Sequence, residues 1–253
     1  MRSLGSIKYL LKSNNRRYNL VHLRYFTIRQ ENMTNRRSGV VVFMINSYIC
    51  TIMEGIKNIV FDLGGVVFAR DPRKFEREFI EFFSYIMLPE MPHFWEEYDR
   101  GASNYERVIN DLAEYNNCDK ELAEHNLRRS IVTQEEIPAT KSLIADLKGA
   151  KYRLYVLSNM ALDFIEFLRT KEVYKHFDGE VISCHEKVVK PDAEIYKILI
   201  NRYDLIPEET LFIDDRKSNI EAAEREGICG YHFNARDPES SCRELREMLL
   251  KEL

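Results

Sequence analysis

From Met53 onward the chain alternates short apolar runs with helical segments, and this alternation limits the possible folds more than any other feature. The runs are Ile56–Phe61, Tyr152–Leu157, Gly179–Ser183, Leu211–Ile213 and Cys229–Phe233. Each is too short for a helix and mostly apolar, as a strand buried in a parallel sheet requires. The segments between them carry helix-end signals. Ala161–Arg169 places Leu162, Ile165 and Leu168 on nearby faces. Pro191 suits the first turn of a helix reaching Tyr203, and Gly227 suits the C-terminal end of Ser218–Glu226. Asp237-Pro238 supplies an N-cap and a first-turn proline for the last helix. Repeated β-α-β units predict an α/β fold, a mostly parallel sheet with helices on both faces.

One stretch departs from the pattern. Between Asp71 and Lys148 only helix signals occur. They include Ser103-Asn-Tyr-Glu106, which reads as a capping box for a helix to Tyr115, and Pro138, which opens a helix that Gly149 closes. This predicts a helical cap over 71–148, inserted into a core formed by 53–70 and 149–253. Residues 1–52 stand apart by charge: nine Lys or Arg against one acid, net +8, while the remainder has 28 basic and 40 acidic residues, net −12. An Arg-rich targeting peptide, a basic binding arm and a start of translation at Met53 all fit this composition; the strand following Met53 favours the last, with 1–52 peripheral to the fold or outside it.

Composition narrows the function classes. A net charge of −4 gives no reason to expect nucleic acid or an anionic membrane as partner. The run Gly39–Ile52, interrupted by Asn46 and Ser47, is too short to cross a bilayer. The five cysteines form no C-x-x-C pair, which suits free thiols in the cytoplasm.

Four elements carry potential chemistry. Phe61-Asp62-Leu63-Gly64-Gly65-Val66 puts a carboxylate at the end of the first strand, where open α/β sheets bind ligands, beside glycines that let the backbone turn and approach an anion. Asp62 could equally be a turn or cap residue. Ser158-Asn159 follows the second run, where a hydroxyl and backbone N–H groups can hold phosphate oxygens or merely cap the next helix. Lys190, before Pro191, could offset crowded negative charge or be a solvated lysine; Lys187 is the more dispensable of the two. Asp214-Asp215 follows the fourth run, with Asn219 one helical turn on. Adjacent carboxylates there repel each other unless a cation such as Mg²⁺ shares them, although an acidic helix start can also be a plain cap.

In this order the four elements resemble the haloacid dehalogenase-like hydrolases, over Ile56 to about Phe233. The first motif is similar to the Phe-Asp-Leu-Gly-(Gly/Asn)-Val branch that includes the bacterial α-glucose-1-phosphate phosphatase, as is Glu97-Tyr98-Asp99-Arg100-Gly101 in the cap. The resemblance implies a Rossmann-like core and a Mg²⁺-dependent phosphatase of small phosphorylated metabolites. Asp62 would be the nucleophile, with Ser158, the Asn159 backbone and Lys190 on the transferring oxygens. Asp62, the Gly64 carbonyl and Asp215 would hold Mg²⁺, and Asp214 and Asn219 would support them. Most phosphatases of the superfamily carry a second Asp two residues after the nucleophile, as general acid and base; here that position is Gly64. A non-catalytic protein binding a phosphorylated ligand and a 2-haloacid dehalogenase are the alternatives.

Overall fold

The computed structural model describes residues 55–88 and 90–250; the reading of residues 1–52, and Met53 itself, lie outside the described residues. Five strands form one parallel sheet: β1 (Asn58–Phe61), β4 (Arg153–Ser158), β5 (Gly179–Ile182), β6 (Thr210–Asp214) and β7 (Cys229–His232), in the order β5-β4-β1-β6-β7. The remaining two, β2 (Phe68–Ala69) and β3 (Glu135–Glu136), pair antiparallel with each other. All five anticipated runs are strands of the main sheet.

Alternation along β1 decides which helix covers which face. Ile59 and Phe61 point into one apolar layer, and Val60 into the other. The described residues supply ten helices to cover them and to build the cap. In the cap run α1 (Arg77–Phe82), α2 (His93–Asp99), α3 (Tyr105–Asn116) and α4 (Lys120–Val132). The core has α5 (Pro138–Gly149), α6 (Leu162–Leu168), a single turn α7 (Ser183–Glu186), α8 (Ala193–Tyr203), α9 (Lys217–Arg225) and α10 (Pro238–Leu249). Leu143 and Leu147 of α5 and Leu245 and Leu249 of α10 share the layer of Phe61; Tyr196 and Leu199 of α8 and Ile220 of α9 share that of Val60. No helix among the described residues is long and apolar enough to cross a membrane.

The insertion has its own aromatic interior: Phe79, Phe82, Phe83, Tyr85, Trp95 and Tyr98 pack with Leu112 and Leu127, mostly edge-to-face. Ala161 and Phe164 from the start of α6 complete this cluster, so the cap rests on the segment following β4. β2 and β3 tie the two ends of the insertion together. The apolar contacts therefore divide near residue 137, not 148: α5 begins with Pro138, as its sequence indicates, but its buried face belongs to the sheet. The two-residue strand Glu135-Glu136 is too short and too charged to show in a periodicity.

Two helix ends and one helix face differ from their sequence signals. At α3 the capping residue is Asn104, whose Oδ1 accepts from Arg107 N at 2.9 Å. Ser103 lies one residue before that cap, with its N–H bonding Glu97 O at 3.1 Å and its Oγ buried without a partner. Helix α8 begins at Ala193, not Pro191, because Asp192 N turns back to Val189 O at 2.9 Å. In α6, Leu162 is exposed and Phe164 takes the buried position beside Ile165 and Leu168.

Replacing a working N-cap by alanine costs about 1 kcal/mol. Asn104→Ala is expected to lower the urea-unfolding free energy by that amount, whereas Ser103→Ala, which removes an unpaired hydroxyl, should be neutral or slightly stabilising. Urea melts followed by circular dichroism compare the two.

Candidate active site

The order β5-β4-β1-β6-β7 places the carboxyl ends of β4, β1 and β6 side by side, with the chain leaving β1 toward opposite sheet edges. This is the position at which parallel sheets open a crevice. Asp62, Ser158 and Asp214 stand at these three ends, and the four elements singled out from sequence come together there.

Asp62 continues the ladder of β1, its N–H bonding Ile213 O at 2.9 Å. Its Oδ1 accepts from Leu63 N at 2.7 Å, Ser158 Oγ at 2.7 Å and Lys190 Nζ at 3.0 Å. Among the described residues nothing bonds Oδ2, so one oxygen is pinned while the other remains open. Burial pushes the Asp62 carboxyl above the usual range; Lys190 opposes this and Asp214 adds to it.

Lys190 is not a solvated lysine. Its side chain is 1% exposed, and its three N–H groups go to Asp62 Oδ1, Asp214 Oδ2 at 2.6 Å and Leu157 O at 3.0 Å. Burial alone would push the ammonium down, but Asp214 and Asp62 together outweigh it and hold its pKa above the ordinary value. Asn159 fixes the lysine's backbone from both sides: its Nδ2 donates to Lys190 O at 2.9 Å, and its Oδ1 accepts from Lys190 N at 2.7 Å. Asp214, fully buried, also accepts from Arg216 N at 2.7 Å and from Asn219 Nδ2 at 3.0 and 3.1 Å. Asn219 thus stands behind Asp214 and orients it.

Asp215 completes the cluster. Its side chain has no hydrogen bond among the described residues, and burial together with Asp62 and Asp214 pushes its carboxyl up to about 7. Gly65, at φ +74°, makes room for it, since a Cβ there would lie 2.6 Å from Asp215 Oδ2. Oxygens of Asp62, Asp214 and Asp215 all lie within 4.8 Å of one another. A set of hard carboxylate oxygens with one cation already spent on two of them fits a further divalent cation of the Mg²⁺ type. Asp62 and Asp215 have oxygen valences to offer, whereas those of Asp214 are largely taken. Gly64 is exposed, and a Cβ there would meet nothing within 4 Å.

Lys187 has more to do than its sequence suggested. Its Nζ bonds Gly101 O at 2.7 Å, linking the end of α2 to the core. Asp99, at that same helix end, is buried beside the site, and burial pushes its carboxyl up to about 7. Neither role shows as a periodicity or a cap; both arise from the docking of the insertion.

A model of the haloacid dehalogenase-like hydrolases matches residues 56–227. The chain is 27% identical over 194 residues to the sesquiterpene phosphatase astK of Aspergillus oryzae, covering 76% of this chain and 96% of that protein. It is 27% identical over 190 residues to the D-ribitol-5-phosphate phosphatase of Bacteroides thetaiotaomicron, covering 68% and 89%. A haloacid dehalogenase family enzyme from Bacteroides thetaiotaomicron, crystallised with magnesium and inorganic phosphate, superposes with a TM-score of 0.55 at 26% identity, over 71% of this chain and 95% of that one.

Removing one partner of a buried ion pair leaves an uncompensated charge and costs about 3–5 kcal/mol. Lys190→Met is therefore expected to destabilise the chain by that order in metal-free buffer at pH 8. The loss should shrink toward pH 5: without the ammonium nothing opposes the burial that raises the Asp62 carboxyl, and its protonation as pH falls relieves the repulsion. Urea melts in chelator at the two pH values measure both effects.

Proposed function

This chain belongs to the haloacid dehalogenase-like hydrolases, and on that premise we propose that it is a Mg²⁺-dependent phosphatase of small phosphorylated metabolites, sugar phosphates among them, acting through an aspartyl-phosphate on Asp62. The observation that carries this reading is the division of labour within the Asp62 carboxylate. Oδ1 is held by Ser158, Lys190 and the Leu63 N–H, while Oδ2 has no partner among the described residues. A nucleophile needs one oxygen fixed for aim and one lone pair free for attack.

Oδ2 attacks phosphorus, and the bond from phosphorus to the leaving oxygen breaks. The Ser158 hydroxyl and the Asn159 backbone lie next to the incoming phosphoryl oxygens. Lys190 counters the charge of nucleophile and phosphate together, held in place by Asp214 and by the Asn159 clamp. Asp62, the Gly64 carbonyl and Asp215 are the residues that would hold Mg²⁺, which supplies charge neutralisation and aligns the phosphoryl group when bound. Water then attacks the aspartyl-phosphate, returning the Asp62 carboxylate and releasing inorganic phosphate.

Relatives named as phosphatases of a sesquiterpene and of a sugar alcohol share the premise and differ in the organic part. The cap, rather than the core, is the part that would set the substrate. Solved dehalogenases superpose with a TM-score of 0.58 at 17% identity, which speaks for the shared fold alone. An attack of Asp62 on carbon leaves Asp215, half-buried and unpaired, without a purpose.

A panel of phosphorylated metabolites assayed with Mg²⁺ should give clear turnover for wild type. Asp62→Asn preserves shape but leaves an amide that cannot attack, so turnover should fall by at least ~10³-fold with the fold retained. Rapid quench should place phosphate on Asp62. Turnover persisting in Asp62→Asn would exclude this mechanism, and no turnover by wild type across the panel would favour a non-catalytic phospholigand-binding protein.

A further inference from the structure

Three carboxyls are buried among the described residues: Asp62, Asp214 and Asp99. The first two belong to the network around Lys190. Asp99 lies on the cap, at the last residue of α2, and has no place in the chemistry so far.

Its position is fixed by contacts across the junction of cap and core. The Asp99 carbonyl accepts from Ser183 Oγ at 2.5 Å, and the same Oγ accepts from Met160 N at 2.9 Å. The turn that follows is equally close. Gly101 has φ +71°, a Cβ there would lie 2.6 Å from Cys184 O, and its carbonyl takes the ammonium of Lys187. The Asp99 carboxyl sits beside the Ala161 N–H, three residues beyond Ser158, and feels the charge of Asp62 with no hydrogen bond between them. The charged and titratable groups that interact electrostatically with it are Asp62 at the end of β1, Arg216 after β6, Tyr85 of the cap and Cys184 on α7, with Glu96 and Tyr98 from its own helix.

Phosphoryl transfer from an alkyl ester leaves an alkoxide that must gain a proton, and the four elements leave no donor once Asp215, whose carboxyl is also pushed up to about 7, is taken as a cation ligand. Asp62 attacks. Lys190 has its three N–H groups committed to two carboxylates and a carbonyl, and a raised pKa. Gly64 has no side chain. We propose that Asp99 is the general acid and base of this site, donating a proton to the leaving oxygen and then taking one from the attacking water.

The step balances. As Asp62 Oδ2 bonds phosphorus and the ester P–O bond breaks, the leaving oxygen takes the Asp99 proton and departs as an alcohol. Water then attacks phosphorus, its proton passes to the Asp99 carboxylate, and the bond to Asp62 breaks. Burial suits the proton donation, because it pushes the carboxyl up to about 7, with Asp62 and Glu96 adding to the effect and the Ala161 N–H and Arg216 opposing it. Asp99 is therefore substantially protonated near neutral pH, where an acid catalyst is most effective.

This inference rests on the phosphatase reading, so the test uses two substrates with Mg²⁺ present: an alkyl phosphate, whose leaving group needs a proton, and 4-nitrophenyl phosphate, whose leaving group does not. Wild type should hydrolyse both. Its kcat/KM for the alkyl ester should fall as pH rises through about 7, with no such limb for the aryl ester. Asp99→Asn, which keeps size and an acceptor oxygen, should lose ~10²-fold or more in kcat/KM on the alkyl ester and only a few-fold in kcat/KM on the aryl ester, since the water attack common to both enters kcat alone. Adding Gly64→Asp to Asp99→Asn should recover at least tenfold on the alkyl ester, since the space at Gly64 is open. Equal losses in kcat/KM on both esters would overturn the proposal and mark Asp99 as structural, as would an unchanged alkyl kcat/KM. If Asp99→Asn fails to fold, the two wild-type pH profiles decide; identical profiles overturn it. Wild type active on the aryl ester alone overturns it while leaving the phosphatase reading intact, and wild type active on neither removes both.

Discussion

The ammonium of Lys190, buried between Asp62 and Asp214, is the interaction on which the rest of the site depends. Three charges lie almost wholly out of water at the centre of the sheet. Such a group is tolerated only when every hydrogen-bonding valence is met, and here nearly all are: the Leu157 carbonyl takes the third N–H of Lys190, and Asn219 and the Arg216 N–H fill the acceptors of Asp214. Among the described residues the unmet valences of this cluster are those of Asp62 Oδ2 and of the carboxyl of Asp215. The pattern of satisfaction thus separates the supporting groups from those with reactive or ligating capacity.

The sheet makes this arrangement possible. Parallel strands present their carboxyl ends together, and β1 lies between β4 and β6, so residues far apart in sequence meet within hydrogen-bond distance: Asp62 and Ser158 at 2.7 Å, Lys190 and Asp214 at 2.6 Å. The apolar layers on both faces hold the strand ends rigid. The insertion leaves the core between β2 and β3 and returns over the segment after β4, where Ala161 and Phe164 join its aromatic interior. A cap seated in this way can place its own groups beside Asp62, and Asp99 is the buried carboxyl it places there.

Much of this was legible in the sequence because the signals were local. Each strand of the main sheet lies in a mostly apolar run, and each site residue sits at or just beyond a strand end or beside a proline. Asp62, Ser158, Lys190 and Asp214 were identifiable as a set. What could not be read depended on packing. The pairing of Asn159 with the Lys190 backbone joins two loops 31 positions apart. The packing of α5 against the sheet was not legible, because α5 has the same helical periodicity whether it covers the cap or the sheet. Ser103 looked like the cap residue because the pattern alone cannot separate it from Asn104, one position on, which makes the bond. Lys187 and Asp99 acquire roles only once the insertion docks.

The central claim is that Asp62 and Asp215 form a cation-dependent phosphoryl-transfer site around a permanently paired lysine. Its most direct test is the Mg²⁺ dependence of 4-nitrophenyl phosphate turnover in wild type and in Asp215→Asn. Loss of activity in excess chelator, recovery on adding Mg²⁺, and a Mg²⁺ requirement raised at least ~10-fold in Asp215→Asn with an unchanged fold are the results this account predicts. Full activity in excess chelator, or an Asp215→Asn enzyme with the wild-type Mg²⁺ response, would contradict it.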